Sequence, residues 1–302
     1  MWILSLHFKP AKPSPSSVAL RLRRLYKTRS LTFLAACLIL TLLVSGCGGS
    51  AATTSTDLTG HITIIGSTAL QPLAAAAALL FEKQHPHTRV DVHGGGSIVG
   101  LKAVTTNQAD IGDSDVYADP ALFPDPSLID HIVCIIPFTL ILGPQVNIAS
   151  LTQQQLVDIF STRKLQNWRQ LGGPNLPITV IVRPSTSGTR AIFRKSILGG
   201  RDEYGHLLKT DSTQAVRDAV AHTPGAIGYL ALPFLNSSVH AVAIAGQSAS
   251  VSNIETKRYQ FWGYEHMYSM GNSNSIVAAF LDFMLSAEIK SLVQHLHYIP
   301  TA

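Results

Sequence analysis

The chain has 302 residues, of which 46% are hydrophobic and 14% charged, and its formal net charge is +5. Seven of its 23 Lys and Arg residues and none of its 18 acidic residues precede Cys47, so the chain from there on carries 16 basic against 18 acidic side chains. Nucleic-acid-binding proteins carry a strong basic excess, so this class is excluded, and the apolar content allows one large or two modest domains.

The N-terminal 46 residues have the pattern of an export signal. Basic residues without any acid lie in the first 30 positions, and an apolar run over residues 31–44 follows them. That run is shorter than the about 20 residues that a membrane-spanning helix needs. Val44-Ser45-Gly46-Cys47 resembles a bacterial lipobox, which implies cleavage before Cys47 and a lipid on its thiol. The sequence therefore predicts a signal peptide over residues 1–46 and a lipid anchor on Cys47, with an uncleaved membrane anchor as the alternative.

Residues 47–59 are rich in Gly, Ser and Thr and predict a flexible tether. From residue 61 onward, short β-branched runs alternate with helical patterns, which favours an α/β fold. Three junctions there share a loop of small Gly, Ser and Thr residues at which a strand becomes a helix. The strands are predicted over residues 62–65, 89–92 and 178–182, and the helices that follow them over residues 69–83, 98–106 and 190–197.

The remaining elements predict two lobes. A strand over residues 110–115 ends in acidic residues at the same sheet edge as the junctions, and the apolar run over residues 132–142 predicts a strand that enters a second domain. Helices are also predicted over residues 151–160 and 275–295, and a turn entering a strand over residues 223–229. One lobe is thus predicted from residues 60–140 and 230–302, and the other from residues 141–229.

The three strand-to-helix junctions are candidate anion sites. The start of a helix presents unpaired backbone N–H groups and about half a positive charge, so it binds anions without a cationic side chain. Asp115 would repel a fully ionised anion but accept a hydrogen bond from a protonated one, which favours hydrogen phosphate over sulfate. Arg183 supplies planar bidentate donation and can pair with that carboxylate.

A simpler interpretation applies to each junction taken singly. Ser or Thr before a helix is usually an N-cap, and clustered glycines are usually turns. Three such junctions, with Asp115 and Arg183 in corresponding loops, favour a binding site for a small tetrahedral oxyanion.

Six motifs follow one another along residues 60–302. They are Gly66-Ser67-Thr68, Gly94-Gly95-Gly96-Ser97, Asp110-Ile111-Gly112 with Ser114-Asp115, Leu151-Thr152 through Asp158-Ile159-Phe160-Ser161 with Asn167-Trp168, Val182-Arg183 with Ser187-Gly188-Thr189-Arg190, and Pro224-Gly225-Ala226-Ile227-Gly228-Tyr229. As an ordered set they resemble the PstS family, the phosphate-binding proteins of phosphate ABC transporters.

The resemblance implies a type II periplasmic-binding-protein fold, in which two α/β lobes joined by crossing strands enclose the ligand in a cleft. It implies that phosphate is contacted by Thr68, Ala69, Ser97, Asp115, Arg183, Ser187, Gly188 and Thr189, with Ala69 giving its backbone N–H. It further implies a monomer without enzymatic activity, cofactor or metal that delivers phosphate to permease subunits of an ABC transporter. With a lipid on Cys47, this places the protein at the cell surface or on the periplasmic side of the membrane.

Two departures from the family pattern bear on the site. Ile98-Val99 stands after the glycine-rich signature, where the family usually has a small pair, and Thr186 stands where it usually has Gly before Ser-Gly-Thr. The first change makes a bulkier wall without a hydroxyl, and the second predicts a strained or differently shaped turn.

Three other functions stay open. The protein could be a receptor for molybdate or sulfate, a secreted phosphatase-like enzyme with Ser97 or Ser187 as nucleophile, or a phosphate sensor or adhesin without a transporter. Asp115 argues against an unprotonated anion. The enzyme lacks a paired general base and a two-metal carboxylate cluster in the sequence near the site.

Overall fold

A computed structural model describes residues 58–207, 211–271 and 273–301, so the predicted signal peptide, Cys47 and nearly all of the tether lie outside the described residues. The described strands are β1 (Gly60–Gly66), β2 (Thr88–His93), β3 (Ile111–Ser114), β4 (Leu128–Leu142), β5 (Ser150–Leu151), β6 (Thr179–Val182), β7 (His206–Leu207), β8 (Ala226–Ala231), β9 (His240–Ile244), β10 (Trp262–Met270) and β11 (Ile299–Pro300).

The described helices are α1 (Gln71–Gln84), α2 (Ser97–Thr105), α3 (Gln153–Phe160), α4 (Gly188–Ser196), α5 (Thr213–His222), α6 (Val251–Glu255), α7 (Ser275–Met284) and α8 (Ala287–His295). Short 3-10 helices span Trp168–Leu171 and Leu232–Phe234. The alternation of strands and helices is that of the predicted α/β fold. Among the described residues, no helix is both long enough and apolar enough to span a membrane.

The strands form a mixed sheet in the order β2-β1-β3-β10-β4-β8-β6-β7, with β11 and β9 also paired to β4. The long strand β4 changes partners along its length: Pro137 lies opposite Trp262 of β10, and Phe138 lies opposite Ala231 of β8. Because β1 and β3 run parallel, their C-terminal ends lie at the same edge of the sheet, where ligands of α/β proteins usually bind.

Aromatic side chains fill the core on both sides of the β4 partner change. Phe81 of α1 meets Phe280 of α7 edge to face, with ring centroids 5.3 Å apart. Phe193 of α4 stacks on Tyr229 of β8 at 4.4 Å and touches Phe160 of α3 at 4.8 Å. All five rings are almost fully buried, so the helices are held against the sheet mainly by apolar contact.

The predicted C-terminal helix over residues 275–295 is wrong as a single element. The structure ends α7 at Met284 and begins α8 at Ala287. Ser286 caps the second helix, since its hydroxyl accepts the Ile289 N–H at 3.4 Å. Ser competes for backbone hydrogen bonds inside a helix and favours a cap, which is why the apolar spacing alone missed the break.

Two other predicted helices begin later than the sequence pattern indicated. α1 starts at Gln71 instead of residue 69, because the N–H groups of Ala69 and Leu70 both bond the Ser67 hydroxyl. α3 starts at Gln153 instead of residue 151, where Thr152 and Gln155 form a reciprocal capping box.

Candidate anion-binding site

Ser67 organises the first junction, between β1 and α1. Its hydroxyl oxygen accepts the backbone N–H groups of Ala69 and Leu70, each at 3.0 Å. The same hydroxyl donates a short hydrogen bond to Oδ1 of Asp115. One side chain therefore joins the start of α1 to the loop that follows β3.

Asp115 is the carboxylate at the centre of the site. It is 4% exposed, and its Oδ2 accepts a 2.7 Å hydrogen bond from the hydroxyl of Thr189, in the first turn of α4. Its backbone N–H donates to Oγ of Ser97, the first residue of α2, at 2.9 Å. Together with Ser67, these contacts bring the starts of three helices around one buried carboxylate.

Arg183 follows β6 and is 1% exposed. Its Nε donates to Oδ1 of Asp211 at 2.5 Å, and Nη2 makes a second, shorter contact with the same oxygen. Nη2 also donates to the hydroxyl of Thr68 at 3.0 Å, and Nη1 donates to that of Thr213 at 3.3 Å. The predicted pairing of Arg183 with Asp115 is wrong, because Asp211 takes up the guanidinium.

Burial and Arg183 have opposite effects on the pKa of Asp211. Burial raises the pKa of the Asp211 carboxyl above its ordinary value, whereas Arg183 lowers it. The carboxylate offsets the positive charge of Arg183, so the site does not rely on a free cation. Anion binding here would instead rest on hydroxyls, N–H dipoles and the guanidinium edge that still carries donors.

The start of α4 packs directly against the start of α2 and the loop that follows β3. Gly188 lies so close to α2 that an added Cβ would sit 2.2 Å from Ser97 Oγ and 2.8 Å from Asp115 Cβ. The Arg190 N–H is capped by the Ser187 hydroxyl at 3.3 Å. The N–H groups of Gly188 and Thr189 precede it in the first turn, where such groups have no partner within the helix.

Gly96 forms the tightest part of the glycine-rich loop. Its φ of +96° lies in the region that favours glycine, and an added Cβ would meet Asp211 Oδ2 at 2.2 Å. The Thr186 carbonyl, 2.7 Å from that position, accepts the N–H of Ile98 at 3.2 Å. Thr186 is not among the described residues with positive φ. Of the two alternatives predicted for this turn, backbone strain or a different shape, strain is therefore not found.

The structure brings all eight predicted contact residues to one place. Each is buried or nearly so: Thr68, Ala69, Ser97, Asp115, Arg183, Ser187, Gly188 and Thr189. The Ala69 N–H bonds Ser67, however, and the Ser187 hydroxyl caps α4. The roles of the Ser67 side chain, Asp211 and Thr213 were not predicted from the sequence. The run Asp211-Ser212-Thr213 could have indicated the last two, because it is a further hydroxyl-rich helix start.

A pocket of about 520 Å³ opens beside this cluster. It is lined by Thr68, Gln71, Gly94, Gly95, Pro184, Thr186, Asp211 and Ser212. The lining comes from the loops after β1, β2 and β6 and from the starts of α1 and α5. Of the eight predicted contact residues, Thr68 lines this pocket.

Known proteins resemble this chain in sequence and in fold. The family model of the PBP superfamily domain matches residues 51–288. The phosphate-binding protein PstS of Bacillus subtilis (strain 168) is 38% identical over 244 residues, which are 80% of this chain and 81% of that protein. The chain belongs to the PstS family. PstS of Borreliella burgdorferi is a more distant relative, 23% identical over 77% of this chain and 87% of that protein.

Solved structures of related proteins have the same fold as this PstS family member. A phosphate ABC transporter substrate-binding protein from Clostridium perfringens, solved with bound phosphate, matches with a TM-score of 0.75 and 26% identity over 80% of this chain and all of that one. A phosphate transport receptor from Vibrio cholerae matches with a TM-score of 0.65 at 24% identity, over 80% of this chain and all of that one. The fold is therefore the type II periplasmic-binding-protein fold, and the relatives are named as binding proteins, not as enzymes.

Proposed function

We propose that this protein captures inorganic phosphate at the Asp115 cluster and delivers it to the permease of an ABC transporter. The observation that carries the proposal is the buried Asp115 carboxylate, which sits among three helix starts and accepts hydrogen bonds from Ser67 and Thr189. The names of the relatives, with phosphate bound in one solved structure, support the same ligand.

Selectivity follows from the proton on the ligand. Phosphate near neutral pH still carries a hydrogen that can be donated to Asp115, whereas sulfate and molybdate carry none. An unprotonated anion would place its negative charge against that of the carboxylate, in a site shielded from water. The donors around Asp115 would hold the remaining oxygens of phosphate.

We infer that binding closes a cleft between two lobes, residues 60–140 with 230–302 and residues 141–229. Thr68, Ser97 and Asp115 belong to the first, and Arg183 and Thr189 to the second. The Arg183–Thr68 and Thr189–Asp115 hydrogen bonds join residues of the two, as they would in a closed form. β4, which pairs with β10 in one half and with β8 in the other, would connect the lobes.

Isothermal titration of the protein with phosphate, sulfate and molybdate tests the ligand. Phosphate is expected to bind as one equivalent, and the other two anions at least about 100-fold more weakly, since each would bring an unpaired charge to Asp115. Equal affinity for sulfate at neutral pH would refute the proposed role of Asp115. Turnover of a phosphate ester would favour the enzyme instead. Loss of phosphate uptake in cells that lack the protein would distinguish a transporter partner from a sensor.

We also propose that a lipid on Cys47 anchors the protein outside the cytoplasm, close to the permease. The lipobox-like Val44-Ser45-Gly46-Cys47 supports this. Mass spectrometry of the wild type should find an N-terminal peptide that begins at Cys47 and carries the mass of a lipid. A wild-type protein that keeps residues 1–46 and carries no lipid would instead indicate an uncleaved apolar anchor.

A further inference from the structure

Glu265 of β10 is a buried carboxyl group that the anion site does not use directly. Its side chain is 0% exposed, and neither of its two carboxylate oxygens has a hydrogen-bond partner. It lies opposite Cys134 of β4, and the register of the two strands shifts just after it. Leaving a carboxylate in such a position is costly, because burial removes water without supplying a donor or a cation.

The groups around Glu265 are acidic or neutral. Asp113, at the end of β3, and Asp115, just after it, act on Glu265 as like charges. Cys134 of β4 and Tyr298, just before β11, are buried groups that Glu265 affects in turn. None of the groups of described residues that shift the pKa of Glu265 is basic. Arg183 is engaged with Asp211.

The pairing of β10 with β3 brings Glu265 to the anion site. His266 lies opposite Ser114 in this antiparallel pair, so Glu265 comes just before the residue that faces Ser114, and Asp115 comes just after Ser114. Neighbouring strands of a sheet lie about 5 Å apart, so these two residues are close to each other. Glu265 therefore lies beside the residue whose carboxylate is at the centre of the site.

We propose that Glu265 is a positioning residue that stays a neutral carboxylic acid while the site holds phosphate, and that its ionisation sets the alkaline limit of phosphate binding. The proposal rests on the proposed phosphate site. A proton on Glu265 leaves Asp115 as the negative group nearest the anion. When that proton is lost, a second buried charge lies behind Asp115 and weakens every interaction with an anion.

The pKa of Glu265 agrees with this role. Burial raises it well above its ordinary value, the negative charges of Asp115 and Asp113 raise it further, and the Ser67 hydroxyl opposes them. The group would therefore keep its proton at pH values at which an exposed Glu is fully ionised.

The test compares the wild type with Glu265→Gln, the neutral isostere of the protonated side chain. Phosphate affinity is measured calorimetrically from about pH 6 to about pH 9.5, and the ratio of the two dissociation constants removes the ligand's own titration. Below neutral pH the two proteins are expected to agree within about twofold, and at the alkaline end the wild type should bind about tenfold more weakly. Glu255→Gln, the same change at an exposed position, should follow the wild type throughout.

Two outcomes would overturn the proposal. A ratio near one over the whole range means that ionisation of Glu265 does not limit phosphate binding there, and a tenfold tighter variant at about pH 6 means that Glu265 is already ionised at that pH. In either case phosphate still binds, so the proposed function survives, whereas a wild type that binds no phosphate at any pH refutes both.

A second measurement avoids dependence on the variant. The infrared C=O band of protonated carboxyl groups should decrease in the wild type with the same midpoint as its alkaline loss of phosphate affinity. A midpoint that differs by more than about one pH unit would also overturn the proposal.

Discussion

Replacing Gly188 with Ala tests the geometry of the site most directly. The added Cβ would lie 2.2 Å from Ser97 Oγ and 2.8 Å from Asp115 Cβ. Because nonbonded carbon contacts are comfortable near 3.5 Å, the start of α4 must move away by about 1 Å. The 2.7 Å hydrogen bond from Thr189 to Asp115 would then lengthen towards the limit for a real bond.

The expected loss of affinity for Gly188→Ala can be worked from these contacts. A hydrogen bond to a charged group contributes about 1.5–3 kcal/mol, and the displaced N–H groups of Gly188 and Thr189 would add a comparable amount. A total of about 3–6 kcal/mol corresponds to a phosphate dissociation constant about 10²- to 10⁴-fold higher. The fold should survive, since α4 can relieve the overlap by moving outward, at a cost of about 1–3 kcal/mol.

Isothermal titration measures the affinity, and thermal unfolding checks the fold. Gly271→Ala is the matched control, because its added Cβ would meet its nearest neighbour, Ser127 O, at an ordinary 3.5 Å. This control should bind phosphate like the wild type. If Gly188→Ala retained phosphate affinity within about twofold, the close packing of α4 on Ser97 and Asp115 would not be the arrangement that binds the anion.

Three further predictions concern charge. Asp115→Asn should bind phosphate about tenfold more weakly than the wild type and sulfate more tightly, because the charge that repels sulfate is removed. Titration with both anions measures this, and an unchanged ratio of phosphate to sulfate affinity would contradict it. Arg183→Lys should lose about 10²-fold in phosphate affinity, since an ammonium cannot reach Asp211 and Thr68 together, and unchanged affinity would refute that role. Glu265→Gln should be more stable than the wild type as pH rises. Burial lifts the folded-state pKa above the ordinary 4.5, so wild-type stability is fully present below that value and lost towards the raised one. If the wild type and Glu265→Gln had the same melting temperature as each other at both acidic and alkaline pH, a buried neutral Glu265 would be excluded.

Elements with a strong local pattern were predictable. The three loops of small residues were placed correctly between strands and helices, and the apolar run over residues 132–142 is the C-terminal part of the longer β4. Helix ends were less accurate, since they depend on single hydrogen bonds such as the Ser286 cap between α7 and α8. Hydrophobic spacing does not distinguish one long helix from two that share an apolar face.

The amino-acid sequence by itself determined which segments could bind an anion, because the residues that start a helix and the donors they present are neighbours in the chain. Only the tertiary structure decided how these segments meet. Arg183 pairs with Asp211, 28 positions further on, and not with Asp115. Glu265 lies near Asp115 because β10 pairs with β3, with His266 opposite Ser114. Such partners depend on strand register and on which groups lose water on folding, and neither can be inferred from the spacing of nearby residues.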